Sequence, residues 1–425
     1  MKFSIVTFGC KVNSYESEYI KEQLLEDGYK YDDYKTSDIV IVNTCSVTNI
    51  ADNKCMKMIR SIKRENPKAI LVVCGCSAEN NKEYYNDLDI DILLGNKNKS
   101  KIVELIKSYL DTREKYVSFN ETRFLPFEDM KVTDFNDLTR AYVKIQDGCD
   151  NFCAYCIIPY VRGSVRSKDF NKIIEECENL VSKGHKEIVL TGIDTGAYGK
   201  DMNDHNLTEL IKELSKIDGL DRIRLSSIEI MTLNDEFINE LKINKKLCGH
   251  LHISLQSGSD KILKLMNRKY TKDEYYQKVL QIRDARKDIN LTTDVIVGFP
   301  GETEDDFNEC IEFCKKVKFS KIHVFPYSVR SGTKAALMDN QLSQAVKKER
   351  ARKLIKIDED LQLEYNKKFI GKEMDFLVEE NNGKSSFGHT ENFLKVEVVG
   401  VLSSNEYYKV KIKEAYVDRV IGEIL

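Results

Sequence analysis

The sequence predicts an α/β protein in three parts: an N-terminal parallel α/β sheet domain, a central partial (βα)6 barrel, and a small C-terminal antiparallel β-barrel. Three observations predict it. Over the first 110 residues, apolar strand-like runs alternate with amphipathic helical patterns. A second series of six strand–helix units fills about 190 residues in the middle of the chain. The last 55 residues switch to a hydrophobic period of two. A length of 425 residues suits two to three domains at about 150 residues each.

In the first part, strands are expected at Phe3–Phe8, Asp38–Val42, Ala69–Val73 and Ile90–Leu94, and helices near Ser14–Leu25, Ile50–Arg64 and Lys101–Leu110. Short apolar strands between amphipathic helices argue for a parallel sheet covered on both faces. We place this domain at residues 1–112. Residues 113–138 are polar, contain Pro126 and show weak periodicity, which reads as a linker.

The central domain is placed at 139–366. Its strands are expected at Ala141–Gln146, Glu187–Leu190, Arg222–Leu225, His250–Leu255, Leu291–Val297 and Lys321–Phe325. The helices between them fall near Asn171–Ser182, Thr208–Lys216, Asp235–Leu241, Lys272–Ala285 and Glu304–Val317. Six units make an open barrel whose chemistry gathers at the C-terminal strand ends. A basic helix follows at Gln341–Lys368. In the domain at 367–425, Met374/Phe376/Val378, Leu394/Val396/Val398 and Tyr408/Val410/Ile412 alternate with polar residues, and Asn381-Asn382-Gly383-Lys384 signals a turn. This pattern predicts the small barrel.

Composition excludes several classes. A hydrophobic fraction of 41% with 9% aromatics excludes wholesale disorder. A net charge of −3 excludes a uniformly basic nucleic-acid wrapper, though not a local patch. No uncharged apolar run approaches the roughly 18 residues of a membrane span, and the N-terminus lacks a signal-peptide pattern. A cytoplasmic protein with no membrane contact is expected.

The chain has twelve cysteines, which in a reducing compartment act as metal ligands, redox groups or buried filler. Cys149-x3-Cys153-x2-Cys156 follows the first barrel strand directly. Three thiolates on one loop can hold three irons of a four-iron cluster, leaving the fourth open to a ligand bearing an amine and a carboxylate. A structural zinc wants four closed ligands, and the next downstream candidates are Cys177 and His185. In the first domain Cys10, Cys45 and Cys76 each follow a strand, and C-terminal strand ends of a parallel sheet share one edge. A second three-cysteine site is expected there. Cys74 competes with Cys76, but Gly75 marks the turn, so Cys76 is chosen. Cys55, Cys177, Cys248, Cys310 and Cys314 lie in helix-like segments as small buried hydrophobes.

The triplet, with Tyr155 as its aromatic, resembles the Cys-x3-Cys-x-aromatic-Cys loop of the radical S-adenosylmethionine superfamily. The resemblance implies a [4Fe-4S] cluster that binds S-adenosylmethionine and cleaves it to a 5′-deoxyadenosyl radical. It also implies cofactor contacts from Tyr155 and from the strand-end residues Gly192, Asp194, Ser226, Glu229, Gln256, Asp294 and Val297. No catalytic residue beyond the cluster ligands is assigned.

Further motifs narrow the family. Gly9-Cys10-x2-Asn13, Asn43-Thr44-Cys45, Gly75-Cys76-x-Ala78 and Ile157-Ile158-Pro159-Tyr160-x-Arg162-Gly163 resemble the methylthiotransferases over nearly the whole chain. Gly388-His389-Thr390-Glu391-Asn392-Phe393 resembles a turn of their C-terminal TRAM domain, an OB-like RNA-binding barrel, with Phe393 where Tyr is more usual. The resemblance implies an auxiliary sulfur-donating [4Fe-4S] cluster on Cys10, Cys45 and Cys76, two S-adenosylmethionines per turnover, a flavodoxin or ferredoxin electron donor, and the iron–sulfur assembly machinery as partner. Gln146–Phe152 and Asn43–Asn49 look most like the branch that methylthiolates C2 of N6-threonylcarbamoyladenosine at position 37 of tRNA. The isopentenyladenosine branch, a branch acting on a ribosomal-protein aspartate, and a non-enzymatic, metal-stapled RNA-binding protein are the alternatives. Lys347, Lys348, Arg350, Arg352 and Lys353 form the densest cationic group and are the candidate RNA contacts, equally readable as a solvated helix face. The C-terminal barrel carries nine Lys/Arg against ten Asp/Glu, so its RNA role rests on the resemblance.

Overall fold

The computed structural model describes residues 1–46, 49–119, 123, 126–135 and 139–425, with the backbone alone at 49 and 50. Lys2–Thr7 (β1), Lys30–Tyr31 (β2), Ile39–Thr44 (β3), Ile70–Gly75 (β4), Ile92–Leu94 (β5) and Tyr116–Ser118 (β6) form one parallel sheet in the order β2-β1-β3-β4-β5-β6. β3 and β4 are buried along their whole length, hence the apolar runs Ile39–Val42 and Ile70–Cys74. Ile39 and Ile41 face a core shared with helices Lys11–Glu26 and Ile102–Thr112, while Val40 and Val42 face one shared with Ile59 and Ile62 of helix Asn49–Glu65.

Residues 113–138 are not simply a connector. Tyr116–Ser118 adds the sixth strand, too short and too exposed to leave a periodic signal. Met130, Val132 and Phe135 are buried in the core of the central domain, and the backbone N–H groups of Thr133 and Asp134 donate to Glu22.

Arg140–Lys144 (β7), Gln146–Asp147 (β8) and Arg166–Ser167 (β9) open the central domain. Glu187–Thr191 (β10), Arg222–Leu225 (β11), Ser227–Ile228 (β12), His250–Ile253 (β13), Asn290–Val297 (β14) and Lys321–Pro326 (β15) continue it. Two parallel sheets, β11-β10-β7 and β12-β13-β14-β15, meet where Ser226 separates β11 from β12, giving an open six-unit wall. The five expected helices are present, and a short one at Asp260–Leu265 is added. Helix Lys11–Glu26 packs beside β7 at the wall's open edge. Its Tyr15 joins the barrel core, with its hydroxyl 2.7 Å from both the Met130 carbonyl oxygen and Glu176 Oε1.

Glu187, buried at the start of β10, accepts from Arg224 Nε at 2.6 Å and Nη2 at 3.2 Å. Burial pushes its carboxyl up, but the guanidinium groups of Arg224, Arg140 and Arg222 outweigh burial and leave it at about 2. An unfolded glutamate titrates at about 4.3. Glu187 therefore contributes stability that is fully present above that value and is lost as pH falls towards 2. Glu187→Gln is expected to flatten the acid limb of the stability curve between these values, read by urea unfolding at a series of pH values.

Helix Gln344–Lys367 packs on β15 and leads to Glu373–Asn381 (β16), Ser385–Thr390 (β17), Lys395–Val399 (β18), Tyr407–Ala415 (β19) and Val420–Ile424 (β20). These close into a barrel in the order β16-β17-β18-β20-β19 around Phe376, Val396, Val410 and Ile412. Against the antiparallel expectation, β18 and β20 run parallel. A closed ring with an odd number of strands must contain at least one parallel pair. The barrel docks on the N-terminal ends of the central strands: Arg222 donates to the carbonyls of His389 and Asp375, and the Gly249 N–H donates to Glu391. Among the described residues no helix is long and apolar enough to cross a membrane.

Candidate functional site

The three cysteine-bearing turns of the first sheet sit against one another. Cys10 is the N-cap of helix Lys11–Glu26, Cys45 follows β3 directly, and Cys76 opens the short helix Cys76–Asn80 after β4. Gly9 approaches so closely that a Cβ on it would lie 2.6 Å from Cys45 Sγ, and one on Gly75 would lie 2.4 Å from the Thr44 carbonyl oxygen. Both glycines have φ of +106°, a conformation that other residues rarely adopt. Asn13 binds the turns together, donating to the carbonyls of Phe8 at 2.7 Å and Thr44 at 3.0 Å.

Cys74 and Cys76 part company. Cys74 is fully buried in the apolar core beneath helices Lys11–Glu26 and Ile102–Thr112, and burial pushes its thiol up to about 12. Cys76 packs on the other side, against Ile157 and Val161 of the central domain. The Cys55 thiol is directed to the Cys45 carbonyl at 3.8 Å. Cys177, Cys248, Cys310 and Cys314 are buried, as expected. Val47 and Thr48 of the Asn43–Asn49 motif lie outside the described residues, as does the side chain of Asn49.

The triplet loop is held from several sides. The Cys149 N–H donates to the Gly163 carbonyl, the Ala154 N–H to that of Met266, and the Ala335 N–H to that of Ala154. Arg268, in the loop after helix Asp260–Leu265, donates through Nη1 to Cys153 Sγ at 3.4 Å. Its Nη2 bridges both carboxylate oxygens of Glu229 at 2.7 and 2.6 Å. Burial pushes the thiols of Cys149 and Cys156 up to about 12, so their thiolates require a compensating cation such as iron.

Six of the eight expected cofactor residues divide among three cavities, and Asp194 and Val297 line none of them. One of about 340 Å³ is lined by Cys153, Glu229 and Arg268. A second, of about 600 Å³, occupies the barrel lumen and is lined by Cys10, Gly192, Ser226, His252 and Asp294. A third, of about 200 Å³, lies between Cys156 and Ser46, the neighbour of Cys45; Tyr155, Gln256 and Asp294 also line it. Gln256 has φ of +68°, which turns the chain sharply at the end of β13. Asp194 is buried, accepts from the Glu229 N–H at 3.2 Å and leaves Oδ2 without a partner. Val297 is buried in the barrel core and lines none of these cavities.

The cationic helix does not present the expected patch. Lys347 is buried over the Tyr327 ring, and Arg350 is buried against Glu302 and Glu304. Residues i and i+3 on a helix share a face, and here that face meets the barrel. Lys348, Arg352 and Lys353 are exposed, and Lys353 pairs with Glu349 and Glu304. The TRAM-like turn also faces inward: Phe393 stacks on His389 and lies under Arg140 and Arg224.

Among the described residues, no three His, Cys, Asp or Glu side chains converge where a single metal ion would sit. A four-iron cluster does not need that, because each thiolate takes a different iron. The donor sets fit such clusters: three cysteines per site, each site with one buried arginine directing an N–H at a cysteine sulfur. Sequence reasoning named Arg162 only as part of a motif and missed Arg268, since nothing local ties either to a cysteine 86 or 115 positions away.

The fold and the triplet loop define an enzyme of the radical S-adenosylmethionine class. Residues 143–314 match the family model "Radical SAM superfamily", and residues 2–95 match "Uncharacterized protein family UPF0004". The chain is 41% identical over 419 residues to the threonylcarbamoyladenosine tRNA methylthiotransferase MtaB of Bacillus subtilis, covering 96% of this chain and 93% of that one. It is 41% identical to the protein of the same name from Thermotoga maritima, over 98% of this chain and 96% of that one. It is 39% identical to a tRNA-2-methylthio-N(6)-dimethylallyladenosine synthase of Acetivibrio thermocellus, over 91% and 83%. This chain belongs to the radical S-adenosylmethionine methylthiotransferase family. The fold is also shared with the radical S-adenosylmethionine methyltransferase TsrM of Kitasatospora setae, at a TM-score of 0.57 and 15% identity over 79% of this chain and 77% of that one.

Proposed function

We propose that this chain inserts a methylthio group at C2 of N6-threonylcarbamoyladenosine at position 37 of tRNA. The observation that carries the reading is the cavity lined by Tyr155, Cys156, Phe325 and Tyr327 together with Ser46, the residue after Cys45. The names of the relatives at 41% identity support the nucleoside. When bound, a [4Fe-4S] cluster on Cys149, Cys153 and Cys156 supplies the electron that cleaves S-adenosylmethionine, and one on Cys10, Cys45 and Cys76 supplies sulfur.

The chain's own residues hold and orient. Phe325, Tyr327 and Ile296 offer apolar surface to an adenine ring in the cavity, and Asp294 and Gln256 offer polar atoms at its rim. Arg268, fixed by Glu229, holds Cys153 in place. Gly192 and Ser226, which line the lumen cavity, are assigned to S-adenosylmethionine by the resemblance to its superfamily. Lys348 and Arg352 supply phosphate contacts for tRNA, and each contact makes log affinity fall with log salt by a slope of about 0.7–0.9. The electron comes from a flavodoxin or ferredoxin, and the clusters from the iron–sulfur assembly machinery.

Mass spectrometry of tRNA nucleosides from a deletion strain tests the reading. We expect unmodified N6-threonylcarbamoyladenosine to accumulate and its 2-methylthio derivative to return with the wild-type gene. Loss of 2-methylthio-isopentenyladenosine instead would move the chain to the other branch. An unchanged nucleoside profile would overturn a tRNA substrate.

A further inference from the structure

Between the two cysteine sites lies a buried ion network with more positive than negative charge. Glu16 pairs with Lys99, Lys144 and Arg162, and Asp147 pairs with Lys144, Arg162 and Arg166. Four cations thus share two carboxylates. Arg162 lies at the centre, about 1% exposed, with every arm engaged. Its Nη1 donates to Asp147 at 3.0 and 3.1 Å and to Glu16 at 3.2 Å, and its Nη2 donates to Asn13 at 2.7 Å. Its Nε donates to Cys76 Sγ at 3.3 Å. The same Asn13 ties the turns of Cys10 and Cys45 together. Burying an excess of cations is costly unless an anion completes the set, and the anions within reach are cysteine thiolates.

We propose that Arg162 is the positioning residue of the N-terminal cysteine site: it fixes Cys76 through a charged hydrogen bond and raises the reduction potential of the iron–sulfur group held there. This rests on the two-cluster reading above. The physical reason is electrostatic. Reduction adds negative charge to the cluster, and a fixed buried cation at hydrogen-bond distance from a ligand sulfur favours that added charge. The guanidinium is suited to the place because its planar fork lets one face satisfy Asp147 and Glu16 while Nε remains aimed at sulfur. Arg268 stands in the same relation to Cys153, so each site has its own cation.

The test uses the full chain with Cys149, Cys153 and Cys156 replaced by alanine, loaded anaerobically with iron and sulfide, so that only the N-terminal site reports. The potential is read by redox titration of visible absorbance and electron paramagnetic resonance. Arg162→Gln is expected to make reduction about tenfold less favourable, a fall of about 59 mV for one electron. Arg162→Lys should recover most of it. Asp147→Asn, which removes a negative charge, should move the potential in the opposite direction. A loaded Arg162→Gln chain with the unaltered potential would overturn the proposal alone. A background chain that bound no iron would overturn the two-cluster reading and the proposal with it. Should Arg162→Gln fail to load, Asp147→Asn decides: a raised potential supports the proposal, and an unchanged one overturns it.

Discussion

Replacing Cys149, Cys153 and Cys156 together by alanine is expected to leave about half of the iron of the reconstituted chain, about four atoms of eight, and to abolish S-adenosylmethionine cleavage. Replacing Cys10, Cys45 and Cys76 should also leave about half, but should spare cleavage and abolish methylthio transfer. The asymmetry follows from position. The triplet sits at the barrel mouth with Glu229 and Arg268, whereas the other three belong to a separate sheet with its own core. Cys74→Ala should keep both activities, because its thiol faces the apolar interior and not the shared edge. Iron and acid-labile sulfide assays with product chromatography check all three variants. Stoichiometric zinc in place of iron would refute the assignment.

Glu16→Ala is expected to be the most destabilising single change away from the cysteines, by about 3–5 kcal/mol. Glu16 is about 1% exposed and receives Lys99, Lys144 and Arg162. Burial pushes its carboxyl up, but Lys144, Lys99 and Arg162 outweigh burial and hold it well below the usual carboxylate range. Removing it leaves Asp147 as the one carboxylate in a network that holds Lys99, Lys144, Arg162 and Arg166. The midpoint of urea unfolding, followed by circular dichroism, measures the loss. A loss under about 1 kcal/mol would mean that water reaches the network. By contrast, Lys348→Glu is expected to leave stability unchanged, since that side chain is exposed.

Much of this was legible in the sequence. The six central strands and their helices were readable because most of the parallel strands are largely buried, Lys321–Pro326 being the exposed one, and the helices carry apolar stripes. Cys10, Cys45 and Cys76 could be grouped because parallel strands deliver their ends to one edge. What failed to register was short or non-local. β6 has three residues, and helix Asp260–Leu265 has six, too few for a period to emerge. The inward turn of Arg350 depends on Glu302 and Glu304, and that of Lys347 on Tyr327, all from segments distant in the sequence. Phe393 was read as part of an RNA-binding turn, yet it is covered by arginines from two central strands. The last two misses are contacts between distant segments, which no local pattern encodes.

Helix Lys11–Glu26 begins one residue after a cysteine of the first sheet, clamps Arg162 with Asn13 and Glu16, and ends its first turns at Tyr15, inside the other domain's core. It acts as a ruler. With a rise of about 1.5 Å per residue, it fixes the spacing between Cys10 and the Asn13 and Glu16 contacts to Arg162 as a rigid length. One residue inserted between Cys10 and Asn13 would swing everything downstream by about 100° and put Glu16 out of reach of Arg162. On the proposed function, a nucleoside has to be extruded far enough from its own chain to reach the cavity beside Cys156 and Ser46.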